Sequence, residues 1–215
     1  MSEKHNLKVE KTATYYTLGN VKTAKTIWFV LHGYGMLAKY FIKKFEPILN
    51  EETCIIAPDG LSKFYTQGFY GRVGATWMTK EDREEEIEDY INYLNKLYEV
   101  NIAENNNENV KINLLGFSQG GATVSRWAAS KKITFNNLIL WASVFPDDMT
   151  FDFLNNNNTF VLLGDKDEFA TDKNVQTQKE VLAKSGVDFT LIKFEGAHDI
   201  PKKIILEQTQ LNSWN

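Results

Sequence analysis

Six short apolar runs, at residues 26–31, 53–57, 110–115, 137–142, 159–163 and 188–194, alternate with longer stretches whose apolar residues recur at helical spacing. A run that is apolar at nearly every position has no polar face to turn to water, so it must be covered on both sides. Strands of that kind, separated by helices, build a parallel sheet between two helical layers. The expected fold class is therefore α/β, with a mostly parallel central sheet and helices on both faces. One helical stripe runs through Leu37, Tyr40, Phe41, Phe45 and Ile48, and a second through Ile87, Tyr90, Ile91, Leu94, Leu97 and Tyr98. Further helices are expected over 121–130, 172–184 and 201–211, the last with Pro201 in its first turn. The second stripe opens on Thr79 and an acidic run at 81–86, where Thr79 or a neighbour caps free amides and the carboxylates oppose the helix dipole. Residues 7–18 alternate less cleanly and predict one or two antiparallel edge strands. The 215 residues suffice for one domain, 1–215, with a sizeable core.

Composition narrows the function classes. The formal charge of -4 and the lack of a long Lys/Arg cluster exclude a nucleic-acid binder that tracks a phosphate backbone. No segment has the apolar length of a membrane span, and the N-terminus is polar, so a soluble, cytoplasmic protein without stable membrane insertion is expected. The single cysteine, Cys54, lies inside the run 53–57 and reads as a buried strand thiol. No His/Cys cluster has metal-ligand spacing, so neither metal nor cofactor is expected. Two Asn-rich patches, 104–109 and 155–158, read as exposed turns.

Gly116-Phe117-Ser118-Gln119-Gly120 is a G-x-S-x-G pentapeptide, placed directly after the run 110–115 and directly before the helical stretch 121–130. Strand, tight turn and helix are the context of a nucleophile elbow, where small residues flank a serine held in a strained conformation. A serine hydroxyl is nearly inert at neutral pH, so it needs an imidazole to take its proton and a carboxylate to orient that imidazole. Of three histidines, His5 lies in the polar tail and His32 ends the first parallel strand, where it reads as a residue fixing the following loop. His198 follows the strand ending at Phe194, at the sheet edge where α/β proteins bind ligands, and is the expected general base. The loop after the run 159–163 reads Gly164-Asp165-Lys166-Asp167-Glu168, and by local reasoning either aspartate can serve. The order Ser, Asp, His is that of α/β-hydrolases. The developing oxyanion then needs two backbone amides, those of Gln119 and of the loop His32-Gly33-Tyr34-Gly35, with Tyr34 the candidate there.

Together with Gly196-Ala197-His198 and Gly121, these motifs resemble the phospholipase/carboxylesterase family of α/β-hydrolases, over residues 26–198. That family includes acyl-protein thioesterases and small bacterial carboxylesterases. The resemblance implies that the second aspartate, Asp167, completes a catalytic triad with Ser118 and His198, and that Asp165 fixes its loop. It also carries the oxyanion amides over to Tyr34 and Gln119. The chain departs from the family in Tyr34-Gly35-Met36, where a leucine and Gly-Asp are usual, and in Glu168-Phe169-Ala170, where Pro and Val are common.

The segment 58–78 leaves the carboxyl end of a strand and is rich in glycine and aromatics. Phe64, Tyr65, Phe69, Tyr70 and Trp77 are expected to wall an apolar acyl pocket, with Arg72 placed to meet an anionic group. The expected activity is hydrolysis of small-molecule carboxylic esters with short or medium acyl chains, through an acyl-enzyme. A thioesterase of S-acylated proteins or a lysophospholipase keeps this chemistry and changes the leaving group. A binding protein that has lost turnover is the reading against which an intact Ser, Asp and His set argues.

Overall fold

The structure, a computed structural model, describes residues 1–154, 157–168, 176, 180 and 188–214. The helix expected over 172–184 lies outside them but for two isolated positions, as do the first half of the second Asn-rich patch and the Phe169-Ala170 pair. Among the described residues seven strands form one sheet. They are β1 (Tyr15–Leu18), β2 (Thr26–Leu31), β3 (Thr53–Pro58), β6 (Lys111–Phe117), β7 (Asn137–Trp141), β8 (Asn158–Gly164) and β9 (Thr190–Phe194). They lie in the order β1-β3-β2-β6-β7-β8-β9, with β1 antiparallel to β3 and every other neighbouring pair parallel. This is an α/β-hydrolase fold. Of the alternating segment 7–18, only the last four residues pair with the sheet.

The continuous apolar character of the strands has the expected cause. Ile27, Phe29 and Leu31 of β2 face a core completed by Tyr90, Leu94 and Leu97 of α2 (Arg83–Glu104) and by Val124 and Trp127 of α3 (Gln119–Ala129). Trp28 and Val30 face the other core, with Phe41 of α1 (Ala38–Phe41), Phe45 of the 3-10 run Ile42–Ile48, and Ile205 of α4 (Lys202–Leu211). Trp127 packs edge-on to Phe29 at 5.5 Å, and its indole N–H donates to Asn95 Oδ1 at 3.0 Å. Cys54 is fully buried, and burial pushes its thiol up to about 11.

Two local expectations are corrected. Helix α2 begins after Asp82, whose backbone is left-handed and whose side chain makes no capping bond, and Thr79 lies outside the helix. Glu84, Glu85 and Glu86 in its first turn still oppose the dipole. Within the segment 58–78, where no strand is expected, β4 (Ser62–Tyr65) and β5 (Val73–Thr76) pair as an antiparallel hairpin. No helix among the described residues is long and apolar enough to cross a membrane.

Candidate active site

Because β2, β6, β8 and β9 run parallel, their carboxyl ends open on one edge of the sheet, and the residues of interest follow those ends. Ser118 follows β6 with φ 54° and ψ -120°, a backbone that side-chain-bearing residues avoid. Its amide donates to Trp141 O at 3.0 Å, and its carbonyl accepts from the Gly121 amide at 2.9 Å. The glycines around it are demanded by close approach. A Cβ on Gly120 would stand 2.7 Å from His32 O, and one on Gly116 would run into the backbone of Gly120 and Gly121. The strain is thus imposed by how tightly β2, β6 and α3 meet.

Loop 32–36 lies directly against the serine: a Cβ on Gly33 would stand 3.2 Å from Ser118 Cβ. In this loop Gly35 N donates to Ala75 O at 2.9 Å and Met36 N to Gly33 O at 3.2 Å, while Gly121 N is taken by Ser118 O. Among the described residues the amides of Tyr34 and Gln119 have no protein acceptor. His32 is fully buried. Its Nδ1 lies 2.8 Å from Gly33 O and its Nε2 accepts from Gly60 N at 3.0 Å, which requires the neutral ring with the proton on Nδ1. Burial pushes its pKa below the ordinary 6.5, against the opposing pull of Gly33 O and Asp59. It acts as a fastener of the loop.

The loops after β8 and β9 are laced together. Asp165 N donates to Phe194 O at 2.9 Å, Lys166 N to Gly196 O at 2.9 Å, and Gly196 N to Asp165 Oδ1 at 2.9 Å. Asp165 is therefore committed to the loop backbone. Asp167 turns inward, its side chain wholly buried, and Asp167 Oδ2 lies 2.8 Å from His198 Nδ1. The His198 side chain keeps 26% of its surface exposed. Its ring is 4.9 Å from that of Phe117, the residue just before Ser118. Ser118, His198 and Asp167 are thus brought to one edge, beside the loop of Tyr34.

A model of the Phospholipase/Carboxylesterase family matches residues 17–210. The chain belongs to this family. As a phospholipase/carboxylesterase family member it is a hydrolase of the carboxylesterase or thioesterase type. Solved structures share the fold at low identity. A carboxylesterase from Mesorhizobium loti is 18% identical with TM-score 0.70, over 92% of this chain and 94% of that one. Acyl-protein thioesterase 2 from Zea mays is 15% identical with TM-score 0.70, over 94% and 99%. The Bacillus cereus carboxylesterase is 14% identical with TM-score 0.70, over 94% and 95%. A comparison with curated proteins gave no match.

The expected pocket residues are scattered. Trp77 is only 1% exposed: it belongs to the core, and its indole N–H donates to His32 O at 2.8 Å. It therefore supports the loop 32–36 from beneath and does not wall an open pocket. Phe69 and Tyr70 stand at the hairpin tip, each 87% exposed, with Arg72 also exposed beside them. Phe64 reaches the site from the hairpin, stacked on Tyr34 at 5.2 Å with 33° between the rings. Reading the sequence missed buried Asp59, whose Oδ1 accepts from Ala38 N at 2.7 Å and whose Oδ2 meets Lys63 Nζ at 2.9 Å. It also missed the side chain of Gln119. The i, i+4 pairing of Asp59 with Lys63 was the available signal for the first; the second had none. Among the described residues no group of three or more His, Cys, Asp or Glu side chains is placed to hold a metal ion.

Proposed function

We propose that this chain is a serine carboxylesterase that cleaves small-molecule esters with short or medium acyl chains. Ser118 Oγ attacks the acyl carbonyl, and His198 takes its proton and returns it to the departing alcohol. Asp167 holds the imidazole with its proton on Nδ1, which leaves the Nε2 lone pair for the serine. The backbone amides of Tyr34 and Gln119 receive the oxyanion, and Gln119 begins α3, so the helix dipole adds to its field. Water then releases the acyl group by the same relay run in reverse. The observation that carries this reading is the 2.8 Å pair of His198 with a fully buried Asp167, beside a serine at φ 54°.

Tyr34 and Phe64 form the wall nearest the acyl carbon in this reading, because the Tyr34 amide and its ring belong to one residue. The leaving group is an alcohol; an acyl-protein thioesterase of Zea mays shares the fold, so thioesters and lysolipids belong in the same panel. The test is fluorophosphonate labelling together with an ester chain-length panel, on the parent and on Ser118→Ala. The parent should label once, and the variant should lose label and at least about ten-thousand-fold in kcat. An alanine variant that hydrolysed simple esters as fast as the parent would remove the mechanism.

A further inference from the structure

One short segment, Ala75 to Met78 at the end of β5, touches both loops that carry the proposed oxyanion amides. On one side Ala75 O accepts from Gly35 N and Ala75 N donates to Met36 O, each at 2.9 Å, so the Tyr34 loop is joined to β5 by an antiparallel bridge. The approach is close enough that a Cβ on Gly74 would stand 2.7 Å from Gly35 Cα. The Trp77 indole adds its bond to His32 O from the same segment. On the other side sits the side chain of Gln119. Its Nε2 donates to Met78 O at 2.9 Å and to Thr76 Oγ1 at 3.0 Å, and its Oε1 accepts from Trp77 N at 3.3 Å. The amide orientation follows from the partners, since a carbonyl needs a donor and an NH2 needs an acceptor. These bonds are sheltered, because Gln119 is half-buried and Thr76 and Trp77 are buried.

We propose that Gln119 is a positioning residue, whose side-chain amide fastens the elbow to β5 and thereby fixes the separation between the Tyr34 and Gln119 backbone amides. The proposal rests on the oxyanion roles given under Proposed function. Two amides on different loops can grip one oxygen only if their spacing is fixed before reaction, and among the described residues the Gln119 side chain is the elbow's side-chain link to β5, which in turn is bonded to the Tyr34 loop. A displacement of one donor by a fraction of its hydrogen-bond length forfeits transition-state contact while leaving ground-state binding nearly intact.

The test is Gln119→Met, which keeps the length and removes both polar atoms, measured with enzyme concentration set by fluorophosphonate titration. The expected result is a fall in kcat of about 100-fold with KM within about twofold. A trifluoromethyl ketone, which forms a tetrahedral adduct on the serine, should lose affinity by a similar factor, and a non-reactive alcohol analogue should not. Gln119→Glu, which keeps Oε1 for the Trp77 amide but sets a second acceptor oxygen against Met78 O, should lose at least as much kcat as Gln119→Met; it carries the test if the methionine variant does not fold, and a folded Gln119→Glu with parental kcat overturns the proposal. Thr76→Val, which removes one partner, should shift kcat in the same direction by less. A titrated Gln119→Met with parental kcat, a loss confined to KM, or unchanged ketone affinity overturns the proposal. If the parent itself fails to label, the serine mechanism fails; if the parent labels and Gln119→Met matches it, only the fastening role does.

Discussion

Asp167→Asn isolates the carboxylate from every other feature of the site. The side chain is wholly buried and its Oδ2 is 2.8 Å from His198 Nδ1. Asparagine fills the same volume, so the fold should stand, but it can turn its NH2 toward the ring. An amide that donates to Nδ1 forces the imidazole proton onto Nε2, and the lone pair that should face Ser118 is gone. The corresponding change in serine proteases lowers kcat by about 10,000-fold. At about 1.36 kcal/mol per tenfold, that is about 5.4 kcal/mol of lost transition-state stabilisation. Asp165→Asn is the matched control. Asp165 Oδ1 accepts from Gly196 N at 2.9 Å, and asparagine retains an oxygen for that bond. Its kcat should stay within about threefold of the parent. The assay is steady-state hydrolysis of a nitrophenyl ester at pH 8, with thermal denaturation to verify folding. A folded Asp167→Asn within tenfold of the parent, or an Asp165→Asn that falls as far, would refute the assignment of the carboxylate.

Two further predictions concern the support of the site. His32 is held neutral, and burial lowers its pKa below 6.5, so the unfolded chain takes up a proton more readily than the folded one. Its contribution to stability should be complete above about pH 6.5 and fall as pH drops from there toward the folded-state pKa; the difference in urea midpoint between parent and His32→Gln should shrink from pH 8 to pH 5, and a constant difference would contradict it. Trp77→Ala should destabilise by about 3–5 kcal/mol, as deletion of a buried aromatic does, yet leave the acyl-length preference of the folded fraction unchanged, whereas Tyr34→Leu should shift that preference; denaturant unfolding and the ester panel read the two.

What could be read from the sequence divides along physical lines. Strands β2, β3 and β6 were legible because two covered faces force apolar residues at every position, and Trp28 and Phe29 show the two faces in adjacent residues. The elbow was legible because close approach leaves Gly116 and Gly120 no room for a side chain. The hairpin was not. Its tip is exposed and the alternation in 62–65 spans only four residues, while the second partner of β5 is residue 36, far away in the chain. For the same reason Trp77 read as a wall of an acyl pocket: whether an aromatic in a Gly-rich stretch lines a pocket or enters the core is decided by that remote pairing. The stripe 37–48 predicts a single helix, but the chain is α-helical only over Ala38–Phe41 and tightens to 3-10 over Ile42–Ile48. Pro47 lies within the latter and has no N–H to offer an α-helical ladder. The hydrophobic spacing survives because either helix type puts Phe41 and Phe45 on the sheet.

The site combines features that a stable fold ordinarily avoids, and their placement shows how they are tolerated. Ser118 carries backbone strain of order 1–3 kcal/mol, and Asp167 is a wholly buried carboxylate. Neither stands alone. The strain at Ser118 is overdetermined by the β6-to-β7 bond from its amide and by the packing of α3 on β2, so relaxing it would require parting Trp127 from Phe29. Asp167 sits in a loop whose preceding amides, those of Asp165 and Lys166, are engaged with Phe194 O and Gly196 O, so its backbone is held by the loop after β9. Ser118 and His198 therefore rest on separate supports that meet at the Phe117–His198 contact. In the proposed mechanism this division has a use: the elbow can stay rigid while the imidazole, with a quarter of its surface open, makes the small turn that carries a proton from serine to leaving group. Damage to the two supports should then separate in kind, with a side chain at Gly116 or Gly120 abolishing folding and labelling together and substitutions in the loop after β8 sparing the fold while slowing turnover.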